Sequence, residues 1–469
     1  MVKIGGLQSL GPHSRLHQWK KVTPSEMRAF IAMILYMGMV KIPTYSMYWS
    51  NHHYMRLPFC MNLMNRDRFL NILSFFHVCD NEAQPPRDDP TFNPGYKVQA
   101  LADLLVAKWQ ANYVLHRELS VDEALVGYKG RIKFLQYMPS KPHKWGMKIW
   151  ILAESKTGYV YNWNLYTGKM NRDPARGRTA THKLVVDLCE PVLDQGHHVY
   201  MDNFFVSPAL FNELADRNTG ACGTLRLNRT GVPESFSTHV VAKGETYTHR
   251  EDKMLFVLWK DKRPVSLLTT IHNSSTFTNR IRSRFAEGHY RTVEKPRAIG
   301  LYSRYMGGVD LSDQQLSYNQ STHRSVKWWK KVVFSHLLET CVVNARIMYK
   351  QRHPNERVDT NTFRLNIISG LLASYTPPAK AFRKPCTNPS NRTLNKEMQH
   401  FPSLNPTILA SGRRSSPDCE VCSFRPIKRC QTSYWCAKCE KPLCAYPCFT
   451  RYHTLEDYKI VCTTDLHKT

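Results

Sequence analysis

Three aspartates stand in local settings that give a purely structural chain little reason to keep them. They are Asp122 in Leu119-Ser120-Val121-Asp122-Glu123, Asp202 in Tyr200-Met201-Asp202-Asn203-Phe204-Phe205, and Asp310 in Gly307-Gly308-Val309-Asp310-Leu311-Ser312-Asp313. The first two lie in or at the ends of short strand-like apolar runs, and the third opens a helix after a Gly-Gly turn. A carboxylate in such a place must be paired, hydrogen-bonded or metal-bound, because desolvating it alone is costly. Three converging carboxylates are what two divalent cations about 4 Å apart need for phosphodiester chemistry. Each has a plainer reading. Asp202 could cap the next helix, although Ser207 and Pro208 already supply a start signal. Asp310 could answer the helix dipole, and Asp313, one turn on, could join the metal site or share that dipole. Glu123 alternates to the opposite face of its strand from Asp122 and is not expected to be a ligand.

A second set of chemistry-bearing residues crowds the C-terminal end. It comprises Cys419-x-x-Cys422, Cys436-x-x-Cys439, Cys444-x3-Cys448 and His453. Short CxxC knuckles separated by a loop are a zinc signal, and seven ligands exceed one tetrahedral site, so two zincs in an interleaved cross-brace are expected. The eighth ligand is open: Cys430, Cys462 or water. The alternatives are zinc that only folds a small module, or a module that reads a protein tail.

Basic side chains make a third set. Lys129, Arg131, Lys133, Lys141, His143, Lys144 and Lys148 interleave with Tyr128, Tyr137 and Trp145, a mixture suited to phosphate contacts and base stacking. A solvated hairpin face would look similar. In Lys327-Trp328-Trp329-Lys330-Lys331, adjacent tryptophans lie about 100° apart around a helix, so only one can face the core. The outward one could stack on a distorted or flipped base, or pack against a partner subunit. The whole chain carries a net charge of +28 over 469 residues, which favours a polyanionic partner. The longest apolar run, 30–40, is too short to cross a bilayer, no secretory signal is evident, and disulfides are not expected.

These residues need a framework. Residues 23–115 read as mostly helical, beginning with a capping box of Thr23, Pro24 and Glu26. From Glu118 the pattern alternates over three strands (121–126, 147–153, 159–165), followed by a helix, the Asp202 strand, a second helix and a strand near 221–227. That order is expected of a ribonuclease-H-like core. Residues 229–296 carry strand signals without an acidic site and read as an insertion. A long amphipathic helix is expected over 326–349, and residues 376–416 read as a linker rich in Pro, Ser, Asn and basic residues.

The strings Ser120-Val-Asp-Glu123, Tyr137-Met-Pro-Ser-Lys-Pro142, Lys144-Trp-Gly-Met-Lys148, Met201-Asp-Asn-Phe-Phe205, Tyr305-Met-Gly-Gly-Val-Asp-Leu-Ser-Asp313 and Lys327-Trp-Trp-Lys330 resemble the piggyBac transposase family, in particular its element-derived branch in animals. The resemblance runs from about Trp19 to Tyr349 and resumes in the Cys-rich tail. It implies an α/β protein with a ribonuclease-H-like core, an inserted β-rich domain, a flanking split helical domain and a C-terminal zinc-binding domain. The implied bounds are 1–117 and 320–385 for the helical dimerisation and DNA-binding parts, and 118–228 and 297–319 for the catalytic core. The insertion is 229–296, the linker 386–416 and the Cys-rich domain 417–469. The resemblance further implies a nuclear, homodimeric cut-and-paste transposase acting on double-stranded DNA at TTAA sites. Asp122, Asp202, Asp310 and Asp313 would hold Mg2+ or Mn2+, and about two Zn2+ would sit in the tail. Against the family pattern, the chain begins almost at the first motif, so a long N-terminal region is expected to be absent, and Val206 stands where threonine is common. Competing classes are a catalytically silent nuclear DNA-binding or chromatin-associated protein, and a nuclease of similar fold.

Overall fold

The computed structural model describes residues 17, 19–139, 141–168, 177–282, 289–320, 325–377, 400–424, 430–456 and 458. The chain divides into two units: residues 1–47 with 65–375, and residues 48–64 with 376–469.

The first unit is built on a nine-stranded sheet of β1 (Glu118–Gly127), β2 (Leu135–Tyr137), β3 (Trp145–Glu154), β4 (Val160–Leu165), β5 (His198–Met201), β6 (Gly220–Thr224), β7 (Thr246–Glu251), β8 (Met254–Lys260) and β9 (Pro264–Thr269). Strand β3 pairs antiparallel with β1, and both β2 and β4 pair antiparallel with β3. Beyond β1 the sheet turns parallel through β5 and β6. The crossover helices, Ala180–Cys189 and Pro208–Asp216, supply the length that parallel connections need. Alternation sorts the side chains. Leu119, Val121, Val199 and Met201 pack with Leu188, Phe211 and Leu214 on one face. Tyr200, Cys222, Leu255 and Leu267 pack with Ala298 and Ile299 on the other, beneath the helix Arg297–Tyr305.

Over the stretch expected as a β-rich insertion, the strands join the main sheet. Strands β7 to β9 continue the same sheet, with β9 antiparallel to β6, then β8, then β7. An open β6 edge would expose unpaired backbone, and β9 covers it. Only β10 (Thr276–Arg282) and β11 (Tyr290–Pro296) pair by themselves.

Around the sheet lie helices. In Pro24–Met39, Thr23 Oγ1 accepts from Glu26 N at 3.2 Å, as the capping box predicts. Its return half is missing, because the Glu26 carboxylate instead takes two 2.6 Å hydrogen bonds from Arg68. The expected long helix begins at Trp328 and carries a π-turn, Val333–Leu337, before Leu338–Arg352. Arg364, in Thr360–Leu372, ties three helices together. It donates to Leu35 O at 3.0 Å and to both Glu339 oxygens at 2.6 and 2.7 Å, with both side chains buried. Arg364→Met leaves Glu339 buried without its partner. It is expected to cost about 3–5 kcal/mol, read as a lower denaturation midpoint; a loss below about 1 kcal/mol would mean water reaches Glu339.

Three histidines set the acid limit. Burial holds His198, His272 and His336 down to about 4, with nearby Arg117 adding at His198 and Arg297 at His272. His336 Nε2 has no hydrogen-bond partner among the described residues. Because the unfolded chain takes up these protons near 6.5, the stabilisation is complete above that pH and is lost as pH falls from about 6.5 towards 4. The histidine contribution to the thermal midpoint should therefore fall over that window, against the opposite trend of Asp122 and Asp313, which burial raises to about 7 and 6. His336→Phe should flatten the fall, and an unchanged slope would exclude His336 as a contributor.

In the second unit, β12 (Pro402–Leu404), β13 (Tyr434–Cys436) and β14 (Lys441–Pro442) form a small sheet, and Cys436 shares a buried cluster with Cys448, Phe449 and Tyr452 of the helix Cys448–Thr454. Residues 400–416, expected as part of the linker, include β12 and fall in this unit.

Candidate active site and metal-ligand clusters

Register places the acidic residues. Val121 of β1 lies opposite Met201 of the parallel strand β5, so Asp122 and Asp202 occupy neighbouring positions at the same level of the sheet. Met201 in turn lies opposite Gly223, so the next position over is Thr224, at the end of β6. Thr224 Oγ1 donates to Asp202 Oδ1 at 3.2 Å, and Asn203 N donates to the same oxygen at 2.6 Å. Asp122 Oδ1 accepts from Glu123 N at 2.8 Å. Asp122 alternates with Leu119 and Val121, so it points to the face covered by Arg297–Tyr305 and by the next helix, Gly308–Ser317. Gly308 lets that helix approach: a Cβ there would lie 2.4 Å from Ser120 Oγ and 2.9 Å from Glu154 O.

The helix carries Asp310 in its first turn and Asp313 one turn on. Lys141 Nζ lies 3.7 Å from Asp310 Oδ1, 3.8 Å from Asp313 Oδ2 and 3.0 Å from Glu123 O. Burial pushes Asp122 up to about 7, with the charges of Glu123 and Asp310 adding and Lys141 opposing. Burial likewise pushes Asp313 up to about 6 against the pull of Lys141. Such a group of half-buried carboxylates favours a cation, and the Lys141 ammonium is one already drawn to its edge. The residues suit divalent cations in charge and ligand type, but among the described residues only the two Cys/His sets of the tail bring three or more ligand atoms within 4.8 Å of one another. The Asp310 side chain remains 71 % exposed.

Two residues in this region were absent from the sequence reading. One is Thr224, whose only signal is its place at the end of a parallel strand, where α/β sheets gather their sites. The other is Tyr302, whose hydroxyl lies 3.5 Å from Thr224 Oγ1. Burial, with the negative charges of Asp202 and Asp122 nearby, pushes it up to about 12, so it stays protonated.

The basic residues divide. Lys129, Arg131, Lys144 and Lys327 are exposed. Lys148 differs from its expected role as a DNA contact. It follows the parity of Trp150, on the opposite face from Asp122, where Nζ lies 4.3 Å above the Trp150 ring and 3.7 Å from Glu123. Lys330 also differs: its ammonium is buried and donates to the carbonyls of Leu73 and Ser74 at the end of the helix Arg66–Phe75. Trp329 is the inward tryptophan, stacked 6.1 Å from Phe76. Trp328 is half-buried and meets Phe134 edge-on at 5.2 Å.

In the second unit, ligand atoms gather into two sets, Cys419, Cys422, Cys444 and Cys448, and His400, Cys436, Cys439 and His453, each within 4.8 Å. Sulfur–nitrogen separations in the second set are 3.4–3.5 Å. A tetrahedral zinc with its usual bond lengths gives an edge of about 3.6 Å. His453 Nδ1 donates to Phe449 O at 2.7 Å, which leaves Nε2 to face the cysteines. The sets interleave along the chain. The open eighth position is filled by His400, from upstream of the expected domain boundary. Cys430 lies in neither set, and Cys462 falls outside the described residues.

The first unit is thus a mixed sheet with acids at its parallel strand ends, and the second carries two Cys/His ligand sets. Residues 7–346 match the family model described as Transposase IS4. The human PiggyBac transposable element-derived protein 3 is 25 % identical over 448 residues, 92 % of this chain and 70 % of that protein. The human PiggyBac transposable element-derived protein 2 is 23 % identical over 423 residues, 87 % of this chain and 68 % of its own length. A cryo-EM structure of the piggyBac transposase synaptic complex with hairpin DNA superposes with a TM-score of 0.67 at 21 % identity, covering 91 % of this chain and 87 % of that one. The chain belongs to the piggyBac transposase family.

Proposed function

We propose that the chain cuts and rejoins double-stranded DNA as a cut-and-paste transposase, or descends from one. The observation that carries this is the placement of Asp122 and Asp202 on adjacent parallel strands, on the face covered by the helix bearing Asp310 and Asp313. The strand order β4-β3-β1-β5-β6, three antiparallel and then two parallel, supports a ribonuclease-H-like core. Asp122, Asp202 and Asp310 would hold Mg2+ or Mn2+, with Asp313 beside them. When bound, the cations activate the attacking oxygen and stabilise the leaving one. Thr224 orients the Asp202 carboxylate, and Tyr302 keeps a hydroxyl proton available beside it. Lys129, Arg131 and Lys144 present charge for phosphates. The tail would hold about two zincs, one per ligand set, and recognise element ends. TTAA target choice, homodimerisation through the helical part and nuclear residence complete the proposal.

Incubation with element-end duplexes and Mg2+ is expected to give nicks and then hairpins on a denaturing gel. A second reading, DNA binding without cleavage, is favoured by the open Asp310, which pairs with Lys141. Specific binding with no cleaved strand in either Mg2+ or Mn2+ would establish that reading.

A further inference from the structure

A recess of about 410 Å³ opens beside the start of the Trp328 helix, lined by Tyr45, Ser325, Lys327, Lys330, Lys331 and Ser335 among others. Among the described residues, no aspartate or glutamate lines it. Three lysines on the lining of one hollow, of which Lys327 is exposed and Lys331 half-buried, favour an anion there. Lys330 spends its ammonium on two carbonyls and so fixes one wall. The ammonium groups of Lys327 and Lys331 have no partner among the described residues. Burial holds Lys330 down to about 8 and also lowers Lys331, as expected of cations gathered without a counterion.

The mouth of the recess continues into the basic segment. The Tyr128 hydroxyl donates to Val326 O at 2.6 Å, and Phe134 meets Trp328. The exposed Lys129 and Arg131 lie between Tyr128 and Phe134 in sequence. A polyanion tracking along that segment is led to the hollow.

We infer that this recess is a phosphate pocket that seats one backbone phosphate of bound DNA through Lys331 and Lys327. The inference rests on the DNA-binding reading above and adds the place where the backbone is gripped. The Ser325 and Ser335 hydroxyls already donate to Lys327 O and Lys331 O, so the grip on the phosphate comes from the two ammonium groups, and a charge-assisted contact of this kind holds the strand in register without reading its sequence. The same chemistry could come from a free phosphate compound.

The test uses Lys331→Gln and Lys327→Gln in the full chain, leaving Lys330 and its helix contact intact, with circular dichroism and thermal midpoints as folding controls. Binding to a random-sequence duplex is followed by anisotropy against salt, and inorganic pyrophosphate binding by the fluorescence of the neighbouring tryptophans. Each variant is expected to lower the magnitude of the log K against log salt slope by about 0.9, weakening all sequences alike. Lys331→Gln should also abolish the pyrophosphate response. Unchanged slopes in two folded variants, with wild-type DNA binding intact, overturn the pocket while leaving the DNA reading standing. Absence of wild-type DNA binding overturns the DNA reading itself. A pyrophosphate response lost in Lys331→Gln beside an unchanged DNA slope overturns the backbone assignment and gives the recess to a free phosphate compound.

Discussion

Asp122→Asn is expected to lower DNA strand cleavage by at least about a thousandfold, because carboxylates that clamp metals together act as a unit. The substitution is nearly isosteric and its amide oxygen can still accept from Glu123 N, so folding and DNA binding should persist. Asp202→Asn should behave alike, since its oxygen also keeps the Thr224 and Asn203 donors. Asp310→Asn tests the open member of the group; its side chain is exposed, so any loss of cleavage comes from charge and not from packing. Glu123→Gln is the control. It lies one residue from Asp122 but on the opposite face, paired with Lys148, and its removal should change cleavage less than about tenfold. Single-turnover cleavage with circular dichroism decides the matter. A near wild-type rate in any aspartate variant would remove that residue from the proposed metal site, and equal losses in Glu123→Gln would mean the defect is structural.

Much of this geometry follows from patterns visible in the chain. The alternation around Val121 and Val199 gives two strands, and the Gly-Gly turn gives a helix start for Asp310, so the acids could be placed on elements from sequence. What joins the elements is less legible. Met254–Trp259 reads as a strand, yet nothing in its residues says that it extends the main sheet; the free edge of β6 decides that. Charge is likewise blind to direction. Lys148 and Lys330 sit in basic runs, but cross-strand parity sends one to Glu123 and a helix end draws the other inward. Thr224 becomes visible only when the parallel register is known. His400 lies 36 residues before Cys436, a separation no knuckle spacing encodes, and the intervening strand pairing brings it home.

Histidine 400 makes the strongest test of the tail. With two interleaved ligand sets, the wild-type protein is expected to carry about two zincs per chain. His400→Ala should leave one. Its effect on the remaining site should be large as well, because the helix Cys448–Thr454 supplies Cys448 to one set and His453 to the other. The module has little else to hold it: its core is Val421, Leu443, Phe449, Tyr452 and Tyr458 packed around the ligands themselves. In such small domains metal binding supplies most of the folding free energy, an apparent 10–16 kcal/mol or so per zinc. Losing a direct ligand should weaken its site by more than about a hundredfold, the upper range for losing a partner that only supports one. His400→Ala, Cys436→Ser and chelation should therefore all open the tail to protease while residues 65–375 stay protected. All three should also erase preference for element-end over random duplex. Truncation should be made before residue 400: a cut near Ser411 would divide the chain within the module, between His400 with β12 and the remaining ligands. Zinc content, limited proteolysis and competition binding on the same samples separate the possibilities. Two zincs retained in His400→Ala would remove it from the ligand set. One zinc with unchanged DNA selectivity would keep the site and turn the tail towards a protein partner.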